Sequence, residues 1–149
     1  MLFVDDQPDL RELIELYARK FVMPFDPVFA ECVEGALRAV RERRPEAVVL
    51  DINLSGETGM DVAEHLHEFY PDVLKAALTA YDMTTTHANC EEYGMQVWPK
   101  PVKSMPELIR RVVGLLNSRP VASSIGTNFP RVMAAMLGLF SGFHIPRLY

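Results

Sequence analysis

The sequence predicts an α/β fold, in which a doubly wound, five-stranded parallel sheet is covered by five helices. Two observations carry this prediction. Short apolar segments alternate along the chain with segments whose apolar residues recur at helical spacing. Several of the apolar segments, among them 46–52, are continuous runs, which is typical of parallel strands that are buried on both faces. About 117 of the 149 residues are occupied by this pattern, which is enough for one domain.

The first half of the domain predicts three strands and two helices. Residues 2–6 form a short apolar strand that ends in two acids. Residues 8–21 begin with a proline and continue with apolar residues at helical spacing, so they predict a helix. A short strand over 26–32 leads into a helix over 33–44, which ends in arginines that suit the negative end of its dipole. The apolar run of 46–52 is the third strand.

The second half repeats the alternation. A helix over 59–70 is stopped by a proline, and an apolar strand follows over 72–80. Residues 84–94 predict a helix capped by a glycine, and residues 95–98 are the fifth strand. The last helix spans 104–118, with a serine as N-cap and a proline in its first turn.

Charge and hydropathy exclude two classes of partner. All 20 acidic residues lie at or before Glu107, whereas only 12 of the 15 basic residues lie in 1–117, so this part carries a net charge of −8. A net-acidic domain argues against direct binding of nucleic acid. The longest uncharged apolar run, 132–143, is shorter than the roughly 20 residues that a membrane span needs. No signal peptide is recognisable, and we expect a cytoplasmic protein without a membrane span.

The last residues form a second region, so the predicted division is 1–118 for the domain and 119–149 for the tail. Residues 118–128 have the composition of a linker. Residues 129–143 then place large apolar side chains near a helical stripe. Such a stripe predicts burial on the chain's own domain, on a second copy or on another protein, and we favour a homodimer. The alternative is that the segment is only a linker.

Polar residues follow four of the predicted strands at their carboxyl ends. Asp5 and Asp6 end the first strand, Asp51 the third and Thr79 the fourth, and Lys100 follows the fifth. In a parallel sheet these ends meet at one edge, where ligands bind. Three crowded carboxylates repel one another unless a cation is present, and Mg²⁺ prefers such oxygen ligands together with phosphate. Because a carboxylate can be the nucleophile in phosphoryl transfer, the set predicts an aspartyl-phosphate site.

At these residues the chain resembles a known family. VDD (4–6), LDINLSG (50–56), LTA (78–80) and KP (100–101) are similar, in this order, to the receiver domain of two-component response regulators. The resemblance covers about residues 1–117 and implies a flavodoxin-like receiver fold. It also implies a phosphoacceptor that undergoes self-phosphorylation and autodephosphorylation, and that is not otherwise an enzyme. The partners implied are a sensor histidine kinase or a phosphotransfer protein, and an output partner.

The resemblance assigns a role to each residue of the acidic edge. Asp51 would accept the phosphoryl group from a phosphohistidine. Asp5, Asp6 and Asp51 would bind Mg²⁺, with the backbone carbonyl of Asn53 as a further ligand.

Two residues complete these implied roles. The hydroxyl of Thr79 would bind the phosphoryl oxygen in the active state, and Lys100 would pair with the phosphate. The peptide bond between Lys100 and Pro101 is expected to be cis.

The chain departs from the family at one position. Receivers often carry an aromatic residue three positions before the lysine, whereas this chain has Val97 at that position. Trp98 is not a simple replacement, because successive strand residues face opposite ways. Coupling through Thr79 would then carry more of the conformational change. Tyr81, two residues beyond Thr79, is placed to shield the phosphoryl group.

Two alternatives remain beside the receiver. A phosphatase resembling the haloacid dehalogenase superfamily also uses an aspartate nucleophile and Mg²⁺. That family, however, places a second aspartate two residues after the nucleophile, where this chain has Asn53. The second alternative concerns the context of a receiver: the chain could stand alone, or it could be a receiver cut from a larger regulator or a hybrid kinase.

Overall fold

The protein contains one main sheet of five parallel strands. A computed structural model describes residues 1–80 and 84–118, with the backbone alone at 84–87. The strands of the main sheet are β1 (Leu2–Val4), β2 (Val28–Ala30), β3 (Ala47–Asp51), β6 (Leu74–Thr79) and β7 (Gln96–Pro99). Two more strands, β4 (Asn53–Leu54) and β5 (Glu57–Thr58), pair in antiparallel fashion. The helices are α1 (Pro8–Ala18), α2 (Val33–Arg43), α3 (Gly59–Phe69), α4 (Thr84–Glu92) and α5 (Met105–Asn117).

The strand order places the predicted site at a switch in the direction of winding. The order is β2-β1-β3-β6-β7, and every neighbouring pair is parallel. The chain first moves outward from β1 to β2 and then returns to β3 on the other side of β1. In open α/β sheets of this kind, ligands bind beyond the carboxyl ends of the strands that flank the switch. The predicted five-stranded, doubly wound fold is therefore confirmed.

The centre of the sheet is buried on both faces. All five residues of β3 are buried, and so are all three of β1. Leu2, Val48 and Leu50 belong to a hydrophobic cluster with residues of α2 and α3, among them Val40 and Leu66. Burial on both faces explains why β3 is a continuous apolar run in the sequence.

The ends of several elements differ from the prediction. The strand predicted over 2–6 ends at Val4, because the N–H of Gln7 turns back to a side-chain oxygen of Asp5 at 2.9 Å. The helix predicted to residue 21 ends at Ala18, and Phe21 closes a turn by donating to the carbonyl of Tyr17 at 3.0 Å. The remaining strands and helices agree with the predicted ranges to within two residues at each end.

Two local features of the second half were also resolved. The predicted N-cap is confirmed: the Ser104 hydroxyl accepts from the N–H of Glu107. Pro99, one residue beyond the predicted strand over 95–98, is the last residue of β7. A proline is tolerated there because β7 lies at the edge of the sheet, where one row of N–H groups needs no partner strand.

The tail lies outside the described residues. The helix α5 ends at Asn117, with Ser118 as its C-cap. The boundary at 118, the linker and the apolar stripe therefore stay predictions. Across residues 1–80 and 84–118, none of the helices combines the length and the apolar character that a membrane crossing requires.

Candidate metal and phosphoacceptor site

Three carboxylates meet beyond the carboxyl ends of β1 and β3. Val4 is paired with Leu50 in the sheet, so Asp5 and Asp6 follow β1 beside the point where Asp51 ends β3. Each of the three offers an oxygen within 4.8 Å of the others. Asp51 is the most deeply placed, with 4% of its side chain exposed. The structure thus brings together the three acids that the sequence predicted.

Lys100 supplies the positive charge of this cluster. Its Nζ donates to Oδ2 of Asp51 at 2.5 Å and to Oδ2 of Asp5 at 2.8 Å. Burial lowers the pKa of Lys100, but the hydrogen bonds to these two carboxylates outweigh it, and the net pKa is raised. The ammonium group therefore stays charged, and it draws Asp5 and Asp51 toward a common point.

Asp6 is held by a different residue, Ser55. The backbone N–H of Ser55 donates to Asp6 Oδ2 at 2.9 Å, and the Ser55 hydroxyl donates to the same oxygen. The bond from the hydroxyl is the largest cause of a lowered pKa at Asp6. The other oxygen, Asp6 Oδ1, is buried and has no hydrogen-bond partner among the described residues.

This donor set fits a hard divalent cation. One ammonium group faces three carboxylates, so the cluster keeps an excess of negative charge, and it contains a buried carboxylate oxygen that none of the described residues satisfies. Leaving such an oxygen without a partner is costly. Oxygen ligands of this kind, with room for waters and phosphate, are what Mg²⁺ prefers.

The loop after β3 fixes the orientation of Asp51. The N–H of Asn53 donates to Asp51 Oδ1 at 3.0 Å. Gly59, the first residue of α3, packs so closely that a Cβ there would collide with the backbone carbonyl oxygen of Asp51. Its own N–H donates to the carbonyl of Ile52 at 3.0 Å. These contacts hold Asp51 against Asn53 and against the start of α3.

Thr79 and Lys100 are connected through the backbone. Thr79 ends β6 and is buried, and its carbonyl oxygen accepts from the N–H of Lys100 at 2.7 Å. The peptide bond between Lys100 and Pro101 is cis, as expected. Because β6 is the neighbour of β3, Thr79 lies on the same edge of the sheet as Asp51.

Three details of the site extend or limit what the sequence predicted. The role predicted for the Asn53 carbonyl stays a prediction, whereas its N–H has a defined task at Asp51. Tyr81 lies outside the described residues. Ser55 was not predicted, because a serine in a loop carries no signal until the fold brings it to Asp6, which is 49 positions away.

The position of the missing aromatic residue is filled by aliphatic packing. Val97 is partly buried against the main hydrophobic cluster. Trp98 is buried, and its indole N–H donates to the side-chain oxygen of Gln96 at 3.2 Å. This hydrogen bond joins two residues of β7, and the view that Trp98 does not replace the usual aromatic side chain stays a prediction.

A family model and several known proteins are similar to this chain in sequence. The family model of the response regulator receiver domain matches residues 1–112. The probable transcriptional regulatory protein TcrX of Mycobacterium tuberculosis is 31% identical over 124 residues, which are 83% of this chain and 52% of that protein. A protein-glutamate methylesterase/protein-glutamine glutaminase of Hahella chejuensis is 29% identical over 131 residues, which are 84% of this chain and 37% of that protein.

A solved structure gives the same result. The response regulator protein TrrA of Thermotoga maritima, in complex with Mg²⁺ and BeF, superimposes with a TM-score of 0.62 at 28% identity. The match covers 76% of this chain and 96% of TrrA. The chain spans between about a third and a half of the length of the curated relatives that it matches first.

These matches favour a receiver over the dehalogenase-like phosphatase. The family model covers three quarters of the chain, and the acids, the threonine and the lysine lie at the carboxyl ends of the parallel strands. The chain therefore belongs to the response regulator receiver domain family and is a signalling domain of two-component systems.

Proposed function

We propose that Asp51 accepts a phosphoryl group from a phosphohistidine of a sensor histidine kinase or a phosphotransfer protein. The observation that carries this proposal is the environment of Asp51. Its carboxylate is buried at the end of a central strand, one oxygen accepts from Lys100 and the other from Asn53, and two further acids lie beside it. A carboxylate that is held by these two hydrogen bonds, beyond the carboxyl end of its strand, is positioned to act as a nucleophile.

The transfer exchanges one bond to phosphorus for another. An oxygen of Asp51 forms a bond to phosphorus while the bond from phosphorus to the histidine nitrogen of the donor breaks. After the transfer, Asp51 no longer carries a free carboxylate charge. In the unphosphorylated chain the Lys100 ammonium lies 2.5 Å from Asp51 Oδ2, and from this position it can reach a phosphoryl oxygen on Asp51. The hydroxyl of Thr79, on the neighbouring strand, is the proposed donor to a second phosphoryl oxygen.

Asp5, Asp6, Asp51 and the backbone carbonyl of Asn53 are the proposed ligands of Mg²⁺. A bound divalent cation would offset the repulsion between these carboxylates and the incoming phosphoryl oxygens. The support is a buried oxygen of Asp6 that has no partner in the described part of the chain, together with the crowding of three acids around one lysine. Asp6→Asn removes one anionic ligand, so we expect it to weaken Mg²⁺ binding, as measured by titration calorimetry.

The phosphoacceptor role is tested by labelling the chain with a small phosphodonor and Mg²⁺. Wild type should incorporate up to one phosphoryl group per chain, and Asp51→Ala should incorporate none. Asp61→Asn, an exposed acid on α3, is the matched control and should label like wild type. Continued turnover of the donor far beyond one phosphoryl group per chain would instead indicate a phosphatase-like enzyme, and undiminished labelling of Asp51→Ala would exclude Asp51.

The assembly that the domain forms is a separate proposal. We expect a homodimer through the tail or the last helices, and no direct contact with nucleic acid, because the charge of residues 1–117 is net acidic. Light scattering of the full chain and of a version that ends at Ser118 measures their masses in solution and so tests for the homodimer. Equal, monomeric masses for both would contradict a dimer that depends on the tail.

A further inference from the structure

Ser55 is the residue through which the loop after β3 reaches the acid pair after β1. It stands in the turn between β4 and β5, and both of its donors, the backbone N–H and the hydroxyl, point to Oδ2 of Asp6. Two donors on one carboxylate oxygen fix the rotation of that carboxylate. Its remaining oxygen, Oδ1, is buried and has no hydrogen-bond partner within residues 1–80 and 84–118.

We propose that Ser55 is a positioning residue for the metal site: it holds Asp6 Oδ2 so that Oδ1 is presented to a divalent cation. The inference rests on the proposed function, because it assumes that Asp6 is a metal ligand. It adds a residue outside the ligand set and assigns each oxygen of Asp6 to a different partner.

The arrangement separates two tasks within one carboxylate. Asp5 and Asp51 are oriented by Lys100, which does not bind Asp6. Asp6 therefore needs another donor, and Ser55 provides it without adding a second positive charge that would repel a cation. Hydroxyl and amide donors behind a ligating carboxylate orient the ligand in the way that outer hydrogen bonds do in metal sites generally.

A purely structural role makes a different prediction. If the contact only fastened the β4–β5 turn to the loop after β1, removing it would lower thermal stability and leave the affinity for the cation unchanged. If Ser55 competed with the cation for Asp6, removing it would raise the affinity. The positioning role requires the affinity to fall.

The test is a titration of the full chain with MgCl₂ alone, in the absence of any phosphodonor, followed by calorimetry. Ser55→Ala should bind Mg²⁺ about 10-fold more weakly or worse, the size of effect typical of lost outer hydrogen bonds. Ser55→Thr keeps both donors and should restore the affinity to within about 2-fold of wild type. Ser118→Ala removes a hydroxyl at the end of α5, far along the chain from the site, and should bind like wild type.

Each remaining outcome decides the matter. Thermal unfolding in the presence of a chelator shows whether Ser55→Ala keeps its fold, and the Ser55→Thr variant preserves the test if the alanine variant does not fold. An unchanged or raised affinity in Ser55→Ala, or a Ser55→Thr variant that folds but is not restored, would overturn the positioning role while leaving the proposed function intact. A wild-type chain that binds no Mg²⁺ would overturn both.

Discussion

Lys100 Nζ lies 2.5 Å from Oδ2 of Asp51, and the same nitrogen is 2.8 Å from Oδ2 of Asp5. A residue that follows the edge strand β7 thereby reaches one acid that follows β1 and another that ends β3. Only 16% of the Lys100 side chain is exposed, and 4% of that of Asp51. The pair is thus largely removed from water. In such a buried environment a charged hydrogen bond contributes most and an unpaired charge costs most.

The first prediction concerns the loss of this ammonium group. Lys100→Met leaves Asp5 and Asp51 facing each other without a cation, so we expect the free energy of unfolding to fall by about 1.5–3 kcal/mol, the usual contribution of hydrogen bonds to charged groups. Urea denaturation without added metal measures it. Lys103→Met, an exposed lysine nearby in the chain, should stay within about 0.5 kcal/mol of wild type. Equal stabilities of the two variants would contradict the account.

The second prediction links metal binding to stability. A ligand that binds only the folded chain should raise the free energy of unfolding by about 2.7 kcal/mol at a free concentration 100 times its dissociation constant. We expect this gain with Mg²⁺ for wild type and a clearly smaller one for Asp6→Asn at the same Mg²⁺ concentration. Glu42→Gln, an exposed acid on α2, should retain the full gain. A full gain in Asp6→Asn would remove Asp6 from the ligand set.

The third prediction compares two glycines that begin or lie within helices. A Cβ at Gly59 would collide with the backbone of Asp51, whereas a Cβ at Gly114 meets nothing within 4 Å. Gly59→Ala should therefore destabilise the fold by about 1–3 kcal/mol, as overpacking does. Gly114→Ala should stabilise it by about 0.5–1 kcal/mol through higher helix propensity. Thermal and urea unfolding measure both, and changes of the same sign would be inconsistent with this packing.

The fourth prediction concerns pH and the buried lysine of β6. Burial lowers the pKa of Lys75 below its ordinary value of 10.5, and its Nζ donates only to the carbonyl of Val73 among the bonds described. The unfolded chain binds more protons between the lowered pKa and 10.5, so the stability of wild type rises with pH across that window. Lys75→Met should accordingly be more stable than wild type near neutral pH, and its advantage should shrink toward pH 10.5.

Denaturation of both chains at several pH values between about 7 and 10 checks this expectation. Because other groups titrate equally in the two chains, their difference isolates Lys75. The exposed Lys103→Met variant is the control and should differ from wild type by a constant amount. If the difference in unfolding free energy between Lys75→Met and wild type does not change with pH, the ammonium group of Lys75 in wild type is solvated in the folded state.

The sequence predicted the parts of the fold that depend on local patterns. The apolar run that ends in Asp51 identified the central strand, and the acids that follow β1 were placed at the right edge, since parallel strands end together. The β4–β5 pair was missed because two-residue strands have no periodicity to detect. The early end of α1 was missed because apolar residues continue beyond Ala18 into a turn.

The site was predictable where charge alone reveals a residue, and hidden where only the fold does. An acid or a lysine at a strand end carries its own signal, so Asp6 and Lys100 were found. Ser55 and Gly59 act through contacts with residues that are distant in the chain or through the absence of a side chain. Neither property can be read before the loop after β3 is folded against the strand ends.

The central claim is that Asp51 is the residue that carries the phosphoryl group. Its most direct test is peptide mapping by mass spectrometry after the full chain has reacted with a small phosphodonor and Mg²⁺. We predict one modified peptide that contains Asp51, with the phosphoryl group on that residue. When Mg²⁺ is chelated before the reaction, this modification should not form. A phosphoryl group mapped to any other residue of wild type, with Asp51 unmodified, would contradict the account.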